Sequence, residues 1–142
     1  MNDVIIDATG AAMGRLATFA AKQALLGNDV KVINCEKAVI SGRKEVVFAD
    51  FLHRMSMGSP RKGPYVHRMP DKIVRRAIRG MLPFKKSRGK EAYKKVLCYY
   101  GVPEELKNQK AITIESANIT KLPTLKYVDI YTLSKRLGAK VE

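Results

Sequence analysis

The chain has 142 residues, a hydrophobic fraction of 46% and a formal net charge of +14. This length fits a single domain, 1–142, large enough to bury a core; no run reaches the roughly 18 apolar residues of a membrane-spanning helix; and the start Met1-Asn2-Asp3-Val4 lacks the basic and apolar regions of a signal peptide. Cys35 and Cys98 form no CxxC pair, so they read as buried thiols of a reducing cytoplasm, with a disulfide or metal pair as the minor alternative.

Residues 3–7 are a short apolar run that predicts a buried strand, and Ala8-Thr9-Gly10 predicts a turn. A helix is predicted over 11–26, where Met13, Leu16, Ala17, Ala20 and Ala24 recur at three- and four-residue steps. Gly27-Asn28 stops it, and 30–34 predicts a second strand. Strand, helix and strand over about 30 residues make a βαβ unit with parallel strands and a right-handed crossover. Ser41-Gly42 opens a new segment, and a helix follows over 45–55 with Val46, Val47, Phe48, Phe51 and Leu52 apolar. Residues 56–64 hold too many Gly and Pro for a helix or central strand, and such a loop orders on a partner or serves function.

Pro70-Asp71 suits a helix first turn. Ile73, Val74, Ala77, Ile78, Met81 and Leu82 then form one stripe, with Lys72, Arg75, Arg76 and Arg79 opposite, before Pro83 ends the helix. If the apolar stripe docks on the body, those four cations point outward together. Residues 84–89 read as a basic turn, 90–95 as a short helical piece and 96–100 as a strand. One or two helical turns are predicted over 103–109, strand-like alternation of open role over 112–114, a strand over 127–130, and a helix over 132–137 stopped by Gly138.

Charge is not spread evenly over these elements. Residues 54–95 carry fourteen Lys and Arg against Asp71 and Glu91, a local net charge of +12, which leaves +2 for the rest of the chain. Such a block attracts a polyanion. A sequence pI near 10.0 favours nucleic acid, whereas membrane binding favours an amphipathic helix with Trp, Phe or Leu opposite the cations, and this chain has no Trp. The bland alternative is a solvated face. Against it, the cations are segregated from acids and interleaved with Tyr65, His67 and Phe84, whose rings suit unpaired bases of folded RNA. The candidate RNA contacts are Arg54, Arg61, Lys62, Tyr65, His67, Arg68, Lys72, Arg75, Arg76, Arg79, Lys85, Lys86, Arg88 and Lys90.

Signals for enzymatic chemistry are weak. Gly10-Ala11-Ala12-Met13-Gly14 lies at a strand-to-helix junction, where doubly wound folds hold phosphates, but it matches neither GxGxxG nor a P-loop. Two readings stand for it: Gly10 makes the turn and Gly14 lets the helix approach the sheet, or the helix start and Arg15 hold a nucleic-acid phosphate. His53 and His67 show no metal-binding spacing and few nearby acids, and the paired Glu104-Glu105 falls on a predicted surface turn. No cofactor, metal or small-molecule substrate is expected. The rival functions are a nucleotide-dependent enzyme at 10–14 and a free-standing basic RNA-binding module.

Arg61-Lys62-Gly63-Pro64-Tyr65-Val66-His67-Arg68-Met69-Pro70 and Arg75-Arg76-Ala77-Ile78-Arg79-Gly80-Met81-Leu82-Pro83 resemble the large-subunit ribosomal protein L-thirteen family. Asp7-Ala8-Thr9-Gly10, Gly14-Arg15-Leu16-Ala17, Val32-Ile33-Asn34-Cys35-Glu36, Arg88-Gly89-Lys90-Glu91-Ala92, Tyr100-Gly101-Val102-Pro103 and Leu137-Gly138-Ala139-Lys140 agree in order and spacing, so the resemblance covers nearly the whole chain. It implies a three-layer α/β/α domain around a mostly parallel four-stranded sheet, with the basic loop and helix of about 54–95 as an insertion. It implies binding to large-subunit (23S-type) rRNA, a part in subunit assembly, neighbours among other large-subunit proteins, a cytoplasmic location in the ribosome, and no enzymatic activity. The Arg-Lys-Gly-Pro loop is similar to the archaeal and eukaryotic branch.

Overall fold

The computed structural model describes residues 2–141. Its sheet is parallel, in the order β1 (Asp3–Asp7), β2 (Asp29–Ile33), β4 (Val96–Cys98). Helix α1 (Met13–Leu25) crosses between β1 and β2 as the sequence predicts. Register pairs Asp3 with Asp29 and Val30 with Val96. Gly27, at φ 99°, makes the left-handed exit from α1, and Lys95 Nζ donates to the Gly27 carbonyl at 3.0 Å, so one cation of the basic block is engaged in closing that helix.

Four strands were expected and three form, because 112–114 contributes a single parallel bridge, Ile6 to Ile112, at the outer edge of β1. Ile112 N donates to Ile5 O at 2.8 Å and Asp7 N donates to Ile112 O at 3.0 Å, and the pairing goes no further. A separate antiparallel pair joins β3 (Val39–Ser41) to β5 (Tyr127–Asp129). β3 was not foreseen, since Val39-Ile40-Ser41 shows no apolar–polar alternation.

The layering also departs from the expected α/β/α sandwich. Ile6, Val30, Val32 and Val96 point into one core with Leu16, Ala17, Ala20 and Ala24 of α1, Ile73, Val74 and Ile78 of α3 (Pro70–Gly80), Ala92 of α4 (Ser87–Lys94), and Ile130 and Leu133 of α5 (Ile130–Arg136). The other sheet face holds a small cluster of Ile5, Ile33 and Leu106, with Tyr99 and Ala111 half-buried against it, and Leu106 comes from a single 3-10 turn at Glu104–Leu106. Polar residues explain the asymmetry: Lys31 and Asp3 lie on that second face and pair at 2.9 Å. Every helix that buries a side chain in the main core therefore does so on one side of the sheet.

α2 (Lys44–Ser56) docks lightly. Val47 is its one buried residue, Phe48, Phe51 and Met55 pack half-buried against the core, and Val46 and Leu52 are exposed. α3 is held firmly. Ile73, Val74 and Ile78 contribute roughly 1.5–3 kcal/mol each on full burial. Small residues on α1 let α3 come close. Of the predicted α3 stripe, Met81 is the exception: it is exposed, with its sulfur beside the Thr18 hydroxyl at 3.2 Å. No helix among the described residues is long and apolar enough to cross a membrane.

Cys35 and Cys98 are free thiols, the first buried. A hydrogen bond with Cys98 and burial both push the Cys35 thiol up, far from thiolate reactivity. At the end of β1, Asp7 Oδ1 accepts from Thr9 N, Thr9 Oγ1 and Asn34 Nδ2 at 3.0, 2.7 and 3.1 Å. Burial pushes this carboxyl up, but those hydrogen bonds and Lys37 outweigh it and hold Asp7 below its usual range. A depressed folded-state value stabilises the protein above the unfolded value of about 3.9 and is lost as pH falls through the folded one. Asp7→Asn should therefore lower Tm at pH 6, and the gap to wild type should narrow progressively as pH falls below about 3.9. A gap that is constant with pH in thermal melts would assign the loss to geometry alone.

Candidate nucleic-acid interface

The basic block becomes three structural pieces: the end of α2, the loop 57–69, and the α3–α4 pair. α4 begins at Ser87, three residues earlier than expected. Arg88 thus lies on a helix rather than on the predicted turn, and Lys90 follows on the same helix, as expected. The chain reverses tightly before it, with Phe84 N donating to Leu82 O at 2.8 Å and Lys86 N to Pro83 O at 2.9 Å.

The four α3 cations do not all point into solvent. Lys72 and Arg76 are exposed, whereas Arg75 and Arg79 are half-buried. Arg75 Nε donates to the Val96 carbonyl at 3.1 Å, and its guanidinium lies 4.4 Å over the Tyr93 ring. Arg79 lies 3.9 Å over Phe84, and Phe84 meets Tyr93 edge-on at 5.5 Å and 89°. The series Arg75, Tyr93, Phe84, Arg79 clamps α4 onto α3. Phe84, expected to offer its ring to bases, is engaged inside the protein. Tyr93 was missed by the sequence reading, although its place among Lys90, Lys94 and Lys95 was a usable signal. A carbonyl on the sheet edge cannot be foreseen as the partner of Arg75 until β4 docks.

Arg75→Gln should consequently cost stability, about 1–3 kcal/mol from the lost charged hydrogen bond and ring contact. Lys72→Gln, on the open side of the same helix, should stay within roughly 0.5 kcal/mol of wild type. Urea midpoints for the two variants check this, and equal values would contradict the clamp.

The remaining predicted residues fall around two grooves and a few separate positions. A cleft of about 460 Å³ between α2, the loop and α3 is lined by Arg54, Tyr65, His67 and Arg76 among others. The next groove gathers Arg76, Arg79, Lys85 and Lys86. Arg76 thus stands between them and joins both. Arg88 faces another hollow with Lys22 of α1. Arg61 and Lys62 lie exposed on the loop, Lys90 is exposed on α4, and Arg68 lies beside Gly138 past the end of α5. His53 is exposed on α2, where its carbonyl accepts from Ser56 Oγ at 2.8 Å.

Arg15 stands apart from all of these. Its Nη1 donates to the Ser116 carbonyl at 2.9 Å, fixing a 3-10 turn at Glu115–Ala117 over the start of α1. Ala11 and Ala12 are buried there; Ala12 N donates to Ala117 O at 2.7 Å and Ala11 O accepts from Val39 N at 2.9 Å. The junction is thus packed at Ala11 and Ala12, with Gly14 exposed beside them. Gly10, at φ 64°, makes its turn. Gly14 does not serve close approach as expected, since a Cβ there would meet nothing within 4 Å.

Among the described residues one ion pair forms, Lys31 with Asp3. None of the predicted RNA-contact cations has a carboxylate partner in that set. Also among the described residues, no group of three or more His, Cys, Asp or Glu is placed to hold a metal ion. The surface therefore gathers positive charges that have no carboxylate partner among the described residues, with apolar hollows between some of them, and suits phosphates and bases chemically.

Comparison with known proteins agrees with that chemistry. Residues 2–105 match the family model described as Ribosomal protein L13. The chain is 43% identical over 136 residues to the large ribosomal subunit protein uL13 of Methanococcoides burtonii, covering 96% of this chain and 98% of the relative. It is 46% identical over 142 residues to that of Methanococcus maripaludis, covering 96% and 98%. With that of Halobacterium salinarum the figure is 40% over 139 residues, covering 98% and 93%. A family match across most of the chain, together with relatives matched over nearly their full length, places it: the chain belongs to the ribosomal protein L13 family.

Proposed function

We propose that this protein is a structural constituent of the large ribosomal subunit, holding large-subunit rRNA against α3, α4 and the loop 57–69. The observation that carries the reading is the set of cations that have no carboxylate partner among the described residues, collected on the two helices and the loop beside them. Phosphate contacts position such a protein on folded RNA without reading sequence. The main core acts as the mount: docking of Ile73, Val74 and Ile78 aims Lys72 and Arg76 outward, and the Arg75–Tyr93–Phe84–Arg79 series sets α4 against α3. The role is architectural rather than catalytic, supports subunit assembly, and brings other large-subunit proteins into contact with this one in the cytoplasmic ribosome.

Gradient sedimentation of cell extract, with detection of this chain, tests the reading. The protein should travel with the large subunit and with whole ribosomes, and should leave the subunit fraction when RNA is digested. Detection only in the light fractions would sink the ribosomal role and favour a free-standing RNA-binding module.

A further inference from the structure

We propose that the cleft between α2, residues 64–67 and α3 receives a single unstacked base of the bound RNA. This rests on the RNA-binding reading and assigns one kind of contact to one place. The cleft measures about 460 Å³, inside the span of roughly 300–1,000 Å³ common for small-ligand sites. Its walls are Phe51, Met57, Tyr65 and Ile73, and Arg54, His67 and Arg76 also line it. Among the described residues no carboxylate lines it. An apolar side chain of a protein partner would not call for two guanidinium groups, and a bare anion would not call for two rings and a methionine. A nucleotide asks for both together, because its base stacks on apolar surface while its phosphate seeks a cation.

The fold accounts for the opening. α3 is drawn into the core by Ile73, Val74 and Ile78, whereas α2 is held chiefly by Val47, so the two helices stay parted where Phe51 and Ala77 face the gap. The Tyr65 hydroxyl donates to the Arg61 carbonyl, which fixes the ring while 73% of the residue remains exposed. Arg54 sits 5.2 Å from the Phe51 ring centre, so a cation already borders the apolar wall. Phe84 is covered by Arg79 and Tyr93, leaving Tyr65 of the basic block, with Phe51 just before it, as the rings that line the cleft. Because Arg76 also lines the groove of Lys85 and Lys86, a strand leaving the cleft meets further cations at once.

Ultraviolet cross-linking of the protein to isolated large-subunit rRNA, followed by nuclease digestion and peptide mass spectrometry, tests the assignment. The expected result is a nucleotide adduct on Phe51, Met57 or Tyr65. Ala77→Trp, which fills the cleft, should remove that adduct while the complex remains salt-sensitive. Tyr65→Ala, at an exposed position that leaves the core intact, should weaken rRNA binding roughly 5- to 150-fold, the range for removing one base-stacking ring. Adducts confined to other regions, or Tyr65→Ala binding like wild type, would overturn the base site and leave the phosphate-binding surface standing. A protein that fails to bind rRNA at low salt would overturn both.

Discussion

Raising monovalent salt from 50 to 200 mM should weaken binding to isolated large-subunit rRNA by roughly 10³- to 10⁵-fold, the loss expected when six to ten phosphate contacts release their counterions. The structure offers enough cations for this. Arg54, Arg61, Lys62, Arg68, Lys72, Arg76, Lys85, Lys86, Arg88 and Lys90 are all exposed and belong to no ion pair among the described residues. Arg75 and Arg79 are not counted with them because both are half-buried, with their guanidiniums over Tyr93 and Phe84. A combined Lys72→Gln, Arg76→Gln, Lys85→Gln and Lys86→Gln variant should keep its thermal melt, since none of these side chains packs in the core. Its logarithmic salt slope should become shallower by about 1 for each phosphate that is no longer neutralised. Filter binding or fluorescence titration across the salt series reads both quantities. A wild-type slope near zero would remove the electrostatic basis of the interface, and an unchanged slope in the variant would move the binding surface elsewhere.

The same separation of residues shows what the sequence can and cannot carry. The β1–α1–β2 unit was legible because its signals are local: two apolar runs, one helical period, and a glycine exit. The apolar stripe of α3 was legible for the same reason, and it located the basic face. What a periodic pattern cannot supply is the distant partner of a polar side chain. Arg75 and Arg76 are adjacent in sequence on the same side of α3, yet one donates to a sheet-edge carbonyl and the other is exposed between two grooves. Arg15 looked like a phosphate ligand at a helix start, and Ser116, about a hundred residues away, takes its hydrogen bond instead. The one-sided sheet was partly visible in Asp3 and Lys31, which place charge on the face that a third layer would have to cover. The cleft beside Phe51 was not visible, because it follows from how weakly α2 docks.

Gly89 carries the second large effect. It is buried in α4, and a Cβ built there would lie 2.1 Å from the Pro83 carbonyl oxygen and 2.3 Å from its carbon. Both atoms are backbone in the tight reversal between α3 and α4, so no rotamer change relieves the clash. Helix propensity alone would make Gly→Ala favourable by about 0.8–1 kcal/mol. Overpacking of this kind costs typically about 1–3 kcal/mol and sometimes more, so the clash should win and Gly89→Ala should destabilise the protein. Gly14→Ala is the control. Gly14 is exposed near the start of α1 with nothing within 4 Å of its added Cβ, and the substitution should be neutral or raise Tm. The consequence for function follows from what the reversal holds. Moving Pro83 and Phe84 away from α4 separates Phe84 from Tyr93 and from Arg79, and with them the groove lined by Lys85 and Lys86. Gly89→Ala should therefore lose rRNA affinity as well as stability even where it remains folded, whereas Gly14→Ala should keep both. Parallel thermal melts and rRNA titrations at one fixed salt concentration distinguish these outcomes. If Gly89→Ala melts at or above wild type, the close approach of α4 to Pro83 does not exist in solution, and the clamp built on it loses its support.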